Sequence, residues 1–347
     1  MSFGFKLIQA AGLVLALTAP LHAEIAIQEV TSPGGIKAWL VEDHGIPFTA
    51  LQIRFQGGNS LDLPGKRGAV NLMTGLIEEG AGDLDSQGFA AARDGLAASF
   101  RFGSDVDGLS VSTQFLTDNR DQAMDLLQSA LIHPRFDQDA VERVREQVLA
   151  GLRSDAKDPG EIANALASAR NFGDHPYGSK GDGTIDSVTA LTRDDILAAA
   201  GDISAHDLGL LLDKLLSDLP ATGLPMPGRA ELHVKSGIKV QDFPGPQSVV
   251  IFGQGGMRYD DPDFFAASIL NEILGGGRFS ARLMTEVREK RGLTYGIGTG
   301  LASYDHAEAL MGQFQASNDK VAEAIDVIKA EWAKIATGDV TEDELKN

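Results

Sequence analysis

Cysteine is absent from all 347 residues. No disulfide, thiolate zinc site, iron–sulfur cluster or thiol nucleophile is therefore available to this chain. Positive charge is scarce as well: 30 Lys+Arg stand against 49 Asp+Glu, for a formal net charge of −19. A general nucleic-acid binder needs a basic stripe to displace counterions, so the balance argues against that class. The seven histidines are His22, His44, His133, His175, His206, His233 and His306. None lies three to five residues from another, so no helix or hairpin presents a local His pair to zinc. A Gly-x-Ser-x-Gly elbow and a Walker loop are also missing. Gly275-Gly276-Gly277 follows a helical stretch rather than a strand, which does not suit a phosphate cradle. The 40 Gly and 13 Pro keep no strict period, which excludes a collagen-like chain.

What is present is a 43% hydrophobic chain of about two domains' length, too apolar for an acidic disordered protein. Lys6, the apolar stretch Leu7 to Leu17 and the small residues Ala19 and Ala23 predict an export signal over residues 1–23, cleaved in the periplasm. Pro20 and His22 interrupt that stretch too early for a good membrane span.

Period-two alternation at Thr49, Leu51, Ile53 and Phe55 predicts a half-buried strand closed by Gly57-Gly58. Helices are expected from Gly68 to Glu79 and from Ser86 to about Ala98. Two strands follow (about Ser99–Phe102 and Leu109–Phe115), then a helix from Asn119 to Ile132. Further helices are expected at Asp137–Ala156, Glu161–Asn171, Thr192–Ala200 and Ala205–Leu216. The Pro-rich stretch that opens at Pro220 reads as a linker.

Beyond it the order recurs. A strand at Gln247–Gln254 is closed by Gly255-Gly256, helices fit Phe264–Leu274 and Phe279–Arg288, and strands fit Tyr295–Gly300 and Glu308–Gln315. A last helix starts near Asn318. A spacing of 199 residues separates Gly57 from Gly256, Phe115 from Phe314 and Asn119 from Asn318. The expected fold is α+β: two tandem duplicated modules, each a mainly antiparallel sheet flanked by helices. Residues 24–219 form the first, 220–230 the linker and 231–347 the second. On that spacing the second module lacks the counterpart of the first module's later helices. Thr341-Glu342-Asp343-Glu344 reads as a helix beginning.

Several blocks resemble the insulinase-like (pitrilysin-type) zinc metallopeptidases, which include the mitochondrial processing peptidases. They are Gly68 through Gly80, His175-Pro176-Tyr177-Gly178, Gly183-Thr184, Leu274 through Leu283, and Arg288 through Tyr295. The resemblance implies an inverted zinc motif, His-x-x-Glu-His, on the first helix, with a further carboxylate ligand about 75 residues later. The corresponding positions here are Asn71, Thr74, Gly75 and Gly151. Amide, hydroxyl and glycine do not replace two imidazoles and a carboxylate on Zn²⁺. The resemblance also implies that Arg288 and Tyr295 face a zinc site and hold the substrate carbonyl. Near Ala200-Gly201, where relatives carry a further connection and strand, this chain is shorter.

The implied role is a non-catalytic, substrate-positioning subunit of a heterodimeric periplasmic zinc peptidase acting on unfolded peptides. Zinc is expected in the partner, a homologue carrying His-x-x-Glu-His. The alternative is a scaffolding homologue without a peptidase role; an autonomous peptidase with an unusual metal site ranks third.

Overall fold

The computed structural model describes residues 27–33, 37–43, 45–201, 224–233 and 236–346. The expected signal at residues 1–23 and the expected helix Ala205–Leu216 lie outside them, as does the start of the linker. The chain divides into two units: residues 1–47 with 206–217, and residues 48–205 with 218–347. What is described of the first is a hairpin, β1 (Ile27–Thr31) against β2 (Lys37–Val41), antiparallel with Ile27 opposite Val41.

The second unit carries both sheets. In the first, β3 (Phe48–Gln56) and β6 (Ser99–Ser104) flank β7 (Gly108–Leu116), all antiparallel. In the other, β8 (Gln247–Gly255) and β9 (Ile297–Ser303) flank β10 (Glu308–Ser317) in the same first–third–second order. The chain is thus α+β with antiparallel sheets. A tiny pair, β4 (Gly80–Ala81) and β5 (Leu84–Asp85), sits between the early helices. Among the described residues no helix is long and apolar enough to cross a membrane.

Helix α1 (Ala69–Leu76) is nearly all apolar, and Leu72, Met73 and Leu76 are fully buried. Its free N–H groups are met from outside the helix: the Asp62 carboxylate accepts from Gly68 at 2.8 Å and from Val70 at 2.9 Å. Helix α2 (Ser86–Gly95) starts at Asp85, whose carboxylate accepts from the Gly88 N–H. Next come α3 (Arg120–Ile132) and α4 (Gln138–Asp155). In α5 (Pro159–Phe172) Asp158 caps the first turn and proline takes the first position, where its missing N–H costs nothing. Two shorter helices follow, α6 (Ile185–Ala190), opened by a Thr184–Ser187 capping box, and α7 (Arg193–Gly201). Phe89, Phe115, Phe136 and Leu127 are fully buried among these elements.

Around the second sheet lie α8 (Phe264–Gly275), α9 (Val321–Ala336) and the short α10 (Glu342–Lys346). Leu274, Leu283, Val287, Phe314, Ala324 and Ile328 form their common core. Between α8 and β9 the chain departs from the sequence expectation. Instead of a helix from Phe279, Phe279-Ser280 is a turn, and Met284–Glu289 is wound as a π-helix. Leu283 and Val287 are fully buried, so the winding follows the way this segment sits on the core rather than its local pattern.

The tips of the two equivalent hairpins meet. The Asp305 N–H donates to Asp107 Oδ2 at 3.1 Å, and the His306 N–H donates to the Tyr177 hydroxyl at 3.0 Å. Phe172, Tyr177 and Ala307 are buried together there.

Candidate functional site

The four positions that the sequence aligns with zinc ligands and base do not make a metal site. Asn71, Thr74 and Gly75 do fall on one short helix, α1, as expected. The Thr74 hydroxyl, largely buried, donates to the Asn71 carbonyl at 2.8 Å and so is spent on its own backbone. Any Cβ built on Gly75 would lie 3.0 Å from Val144 Cγ1 of α4, so a side chain the size of imidazole would crowd α4. Gly151, in α4, is exposed and offers no donor.

The nearby carboxylates are engaged elsewhere. Glu78 pairs with Arg93 at 2.6 Å, and Glu79 pairs with Arg143 and accepts from Ser86. The buried Asp62 carboxyl is pushed up by its burial, an effect only partly offset by the helix N–H groups and Arg67. It is a cap, not a ligand. Among the described residues no three His, Asp or Glu side chains are grouped so as to hold a metal ion. The donor set present does not fit zinc.

The second constellation is organised differently. Arg288 lies on the π-helix, with its guanidinium carbon 5.1 Å from the centroid of the Phe279 ring. Its carbonyl accepts the Gly292 N–H at 2.8 Å, and Gly292 adopts φ +58°, the left-handed turn expected there. The neighbouring charges pair with each other: Glu286 accepts from Lys290 at 2.5 Å and from Arg291 at 2.7 Å, which holds its carboxyl below the usual range. Arg288 is thereby left to the aromatic ring rather than drawn into the charge run. Tyr295 does not open β9; it stands in the bend two residues before Ile297, 88% exposed. Phe279 is 66% exposed. The exposed Tyr295 phenol and the half-buried Arg288 guanidinium on the Phe279 ring are each able to donate hydrogen bonds to a bound chain.

Gly296, next to Tyr295, lines a cavity of about 810 Å³ over the open face of the second sheet. Gly276 and Gly277 of the glycine block and Asp158-Pro159 at the head of α5 line it too. The glycine block, the head of α5 and the residue after Tyr295 therefore border one space. Sequence reasoning missed Phe279 as a companion of Arg288; the only signal was its place in the block Leu274 through Leu283.

A family profile described as the peptidase M16 inactive domain matches residues 196–347. A crystal structure of the peptidase M16 inactive domain from Pseudomonas fluorescens superposes with a TM-score of 0.85 at 28% identity, covering 93% of this chain and 82% of that one. The chain is a homologue of the peptidase M16 inactive domain. Among its relatives, the non-peptidase homolog YmxG of Helicobacter pylori is 25% identical over 300 residues, covering 82% of this chain and 69% of that protein. An uncharacterized zinc protease of Streptomyces coelicolor is 23% identical over 350 residues, covering 93% and 75%. The matched description is of an inactive domain, and Asn71, Thr74, Gly75 and Gly151 carry neither imidazole nor carboxylate.

Proposed function

We propose that this M16 homologue is the substrate-positioning subunit of a heterodimeric zinc peptidase exported to the periplasm. The single observation that carries the reading is an asymmetry: the expected ligand positions on α1 hold Asn71, Thr74 and Gly75, whereas the expected substrate-binding positions keep an arginine, Arg288, set against the Phe279 ring, and a tyrosine, Tyr295, that is exposed. A partner M16 chain bearing His-x-x-Glu-His supplies the metal. This chain supplies the Arg288 guanidinium and the Tyr295 phenol, which hold the carbonyl of an extended, unfolded peptide. Its export rests on the sequence of residues 1–23.

Co-expression with a His-x-x-Glu-His homologue, followed by a peptide-cleavage assay, tests the reading. Neither chain alone cleaves, the pair does, and Arg288→Ala or Tyr295→Phe lowers the rate of the pair roughly 10²-fold, the scale of losing one oxyanion donor. Unchanged rates in both variants favour the scaffolding alternative. Cleavage by this chain alone, abolished by a chelator, would overturn both.

A further inference from the structure

Among the described residues, no strand pairs with the outer edge of the second sheet. β8 is the outer member of the order β8-β10-β9, and among the described residues no backbone hydrogen bond joins its free side to another segment. Along that side runs a groove of about 690 Å³, within the size range of ligand clefts. Consecutive residues from Gln247 to Gln254 line it. Side chains of a strand alternate between faces, so an unbroken run means that the groove wraps the strand's edge, reaching Met311 and Phe314 of β10 on the faces behind it. One wall is α5, with Ile162 and Leu166, another is α9, with Ile325 and Trp332, and the segment ahead of β8, with Ile238 and Lys239, borders the groove as well. Phe252 packs edge-on against Trp332 with ring centroids 5.8 Å apart, and the Trp332 indole donates to Gln254 Oε1 at 3.0 Å.

Two properties indicate the occupant. The edge is half-buried between its walls, so its backbone groups are poorly served by water and favour a partner backbone. The lining also carries the exposed Lys239 and Lys329 and not one Asp or Glu, on a chain whose net charge is −19. Such a concentration of cations in an acidic protein selects anionic side chains.

We infer that this groove binds an extended peptide that adds as a fourth strand to β8, with apolar side chains at alternate positions and carboxylates between them. The backbone ladder supplies affinity and the cations select acidic sequences. The site is separate from Arg288 and Tyr295 and needs neither a partner chain nor a metal.

The test uses the full chain with Trp39→Phe, which leaves Trp332 as the one tryptophan. The probe is a dansylated peptide of about eight residues, a common strand length, alternating valine and glutamate. Binding is read as saturable energy transfer from Trp332 to dansyl. Lysine in place of glutamate, or N-methylation of alternate peptide amides, is expected to abolish it. Lys239→Glu with Lys329→Glu, both at exposed positions, is expected to weaken it roughly tenfold or more with an unchanged far-UV circular dichroism spectrum. No transfer, equal binding of the lysine peptide, equal binding of the N-methylated peptide, or an unaffected double variant each overturns the inference. So does concentration-dependent dimerisation that the probe does not reverse, because the edge would then belong to a second copy.

Discussion

The Tyr177 hydroxyl donates to Asp107 Oδ1 and accepts the His306 N–H, so one phenol joins the hairpin tip of the first sheet to that of the second. Burial and the adjacent Asp107 carboxylate push the phenol's pKa upward, keeping it a donor throughout the accessible pH range. Asp107 is itself buried, and its other oxygen accepts the Asp305 N–H. Through Tyr177, the sequence block His175-Pro176-Tyr177-Gly178 therefore ties the hairpin tips of the two sheets together.

Tyr177→Phe is expected to destabilise the fold by about 1–3 kcal/mol, because it leaves a buried carboxylate oxygen and a backbone N–H short of a partner. Urea unfolding gives the number. A change within a few tenths of wild type would mean that water replaces the phenol there.

Much of the fold was legible because strand periodicity and turn residues are local. β3 and β8, at Phe48–Gln56 and Gln247–Gly255, stand 199 residues apart, the spacing read from Gly57 and Gly256. Register was not legible. Thr49 faces Phe115, so the spacing places Ser248 opposite Phe314, whereas Val250 stands there. A slip of two residues keeps every side chain on its face, so the hydrophobic pattern cannot detect it. The candidate site was half legible. Arg288, Gly292 and Tyr295 are spaced as motifs, but the π-winding, the Phe279 contact and the bend at Tyr295 depend on packing by distant residues such as Phe314 and Ile328.

Acid is expected to release α10 before the rest of the second sheet's helices. Glu344 accepts from Arg282 at 2.5 and 2.8 Å, which holds its carboxyl down at about 2. A folded-state pKa below the ordinary carboxylate value gives stabilisation that is full above the ordinary value and lost as pH falls toward 2. Amide exchange at Leu345, whose N–H donates to Thr341, reads this directly. Arg282→Ala should move the loss up into the ordinary carboxylate range.

Metal addition and removal are expected to leave the isolated chain unmoved. With Asn71, Thr74, Gly75 and Gly151 at the ligand positions, zinc should co-purify well below one equivalent, and a chelator should not shift the melting temperature. Elemental analysis after dialysis, paired with thermal melts, checks both. A tightly held equivalent would refute the assignment of these positions as lost ligands.

Gly292 connects the turn to the proposed role of Tyr295. Its φ of +58° is a conformation that most side chains adopt at a cost of about 1–2 kcal/mol, whereas asparagine tolerates it better. The same residue donates to the Arg288 carbonyl and accepts from Lys320 Nζ at 2.9 Å, tying the turn to the segment leading into α9. Gly292→Ala should therefore lower stability by about 1 kcal/mol, and Gly292→Asn by less. If the turn sets where Tyr295 stands, the alanine variant also lowers the rate of the assembled pair, and asparagine restores most of it. If alanine destabilises the chain but leaves the rate untouched, the turn is a feature of the fold alone, and Tyr295 finds its place through contact with the partner.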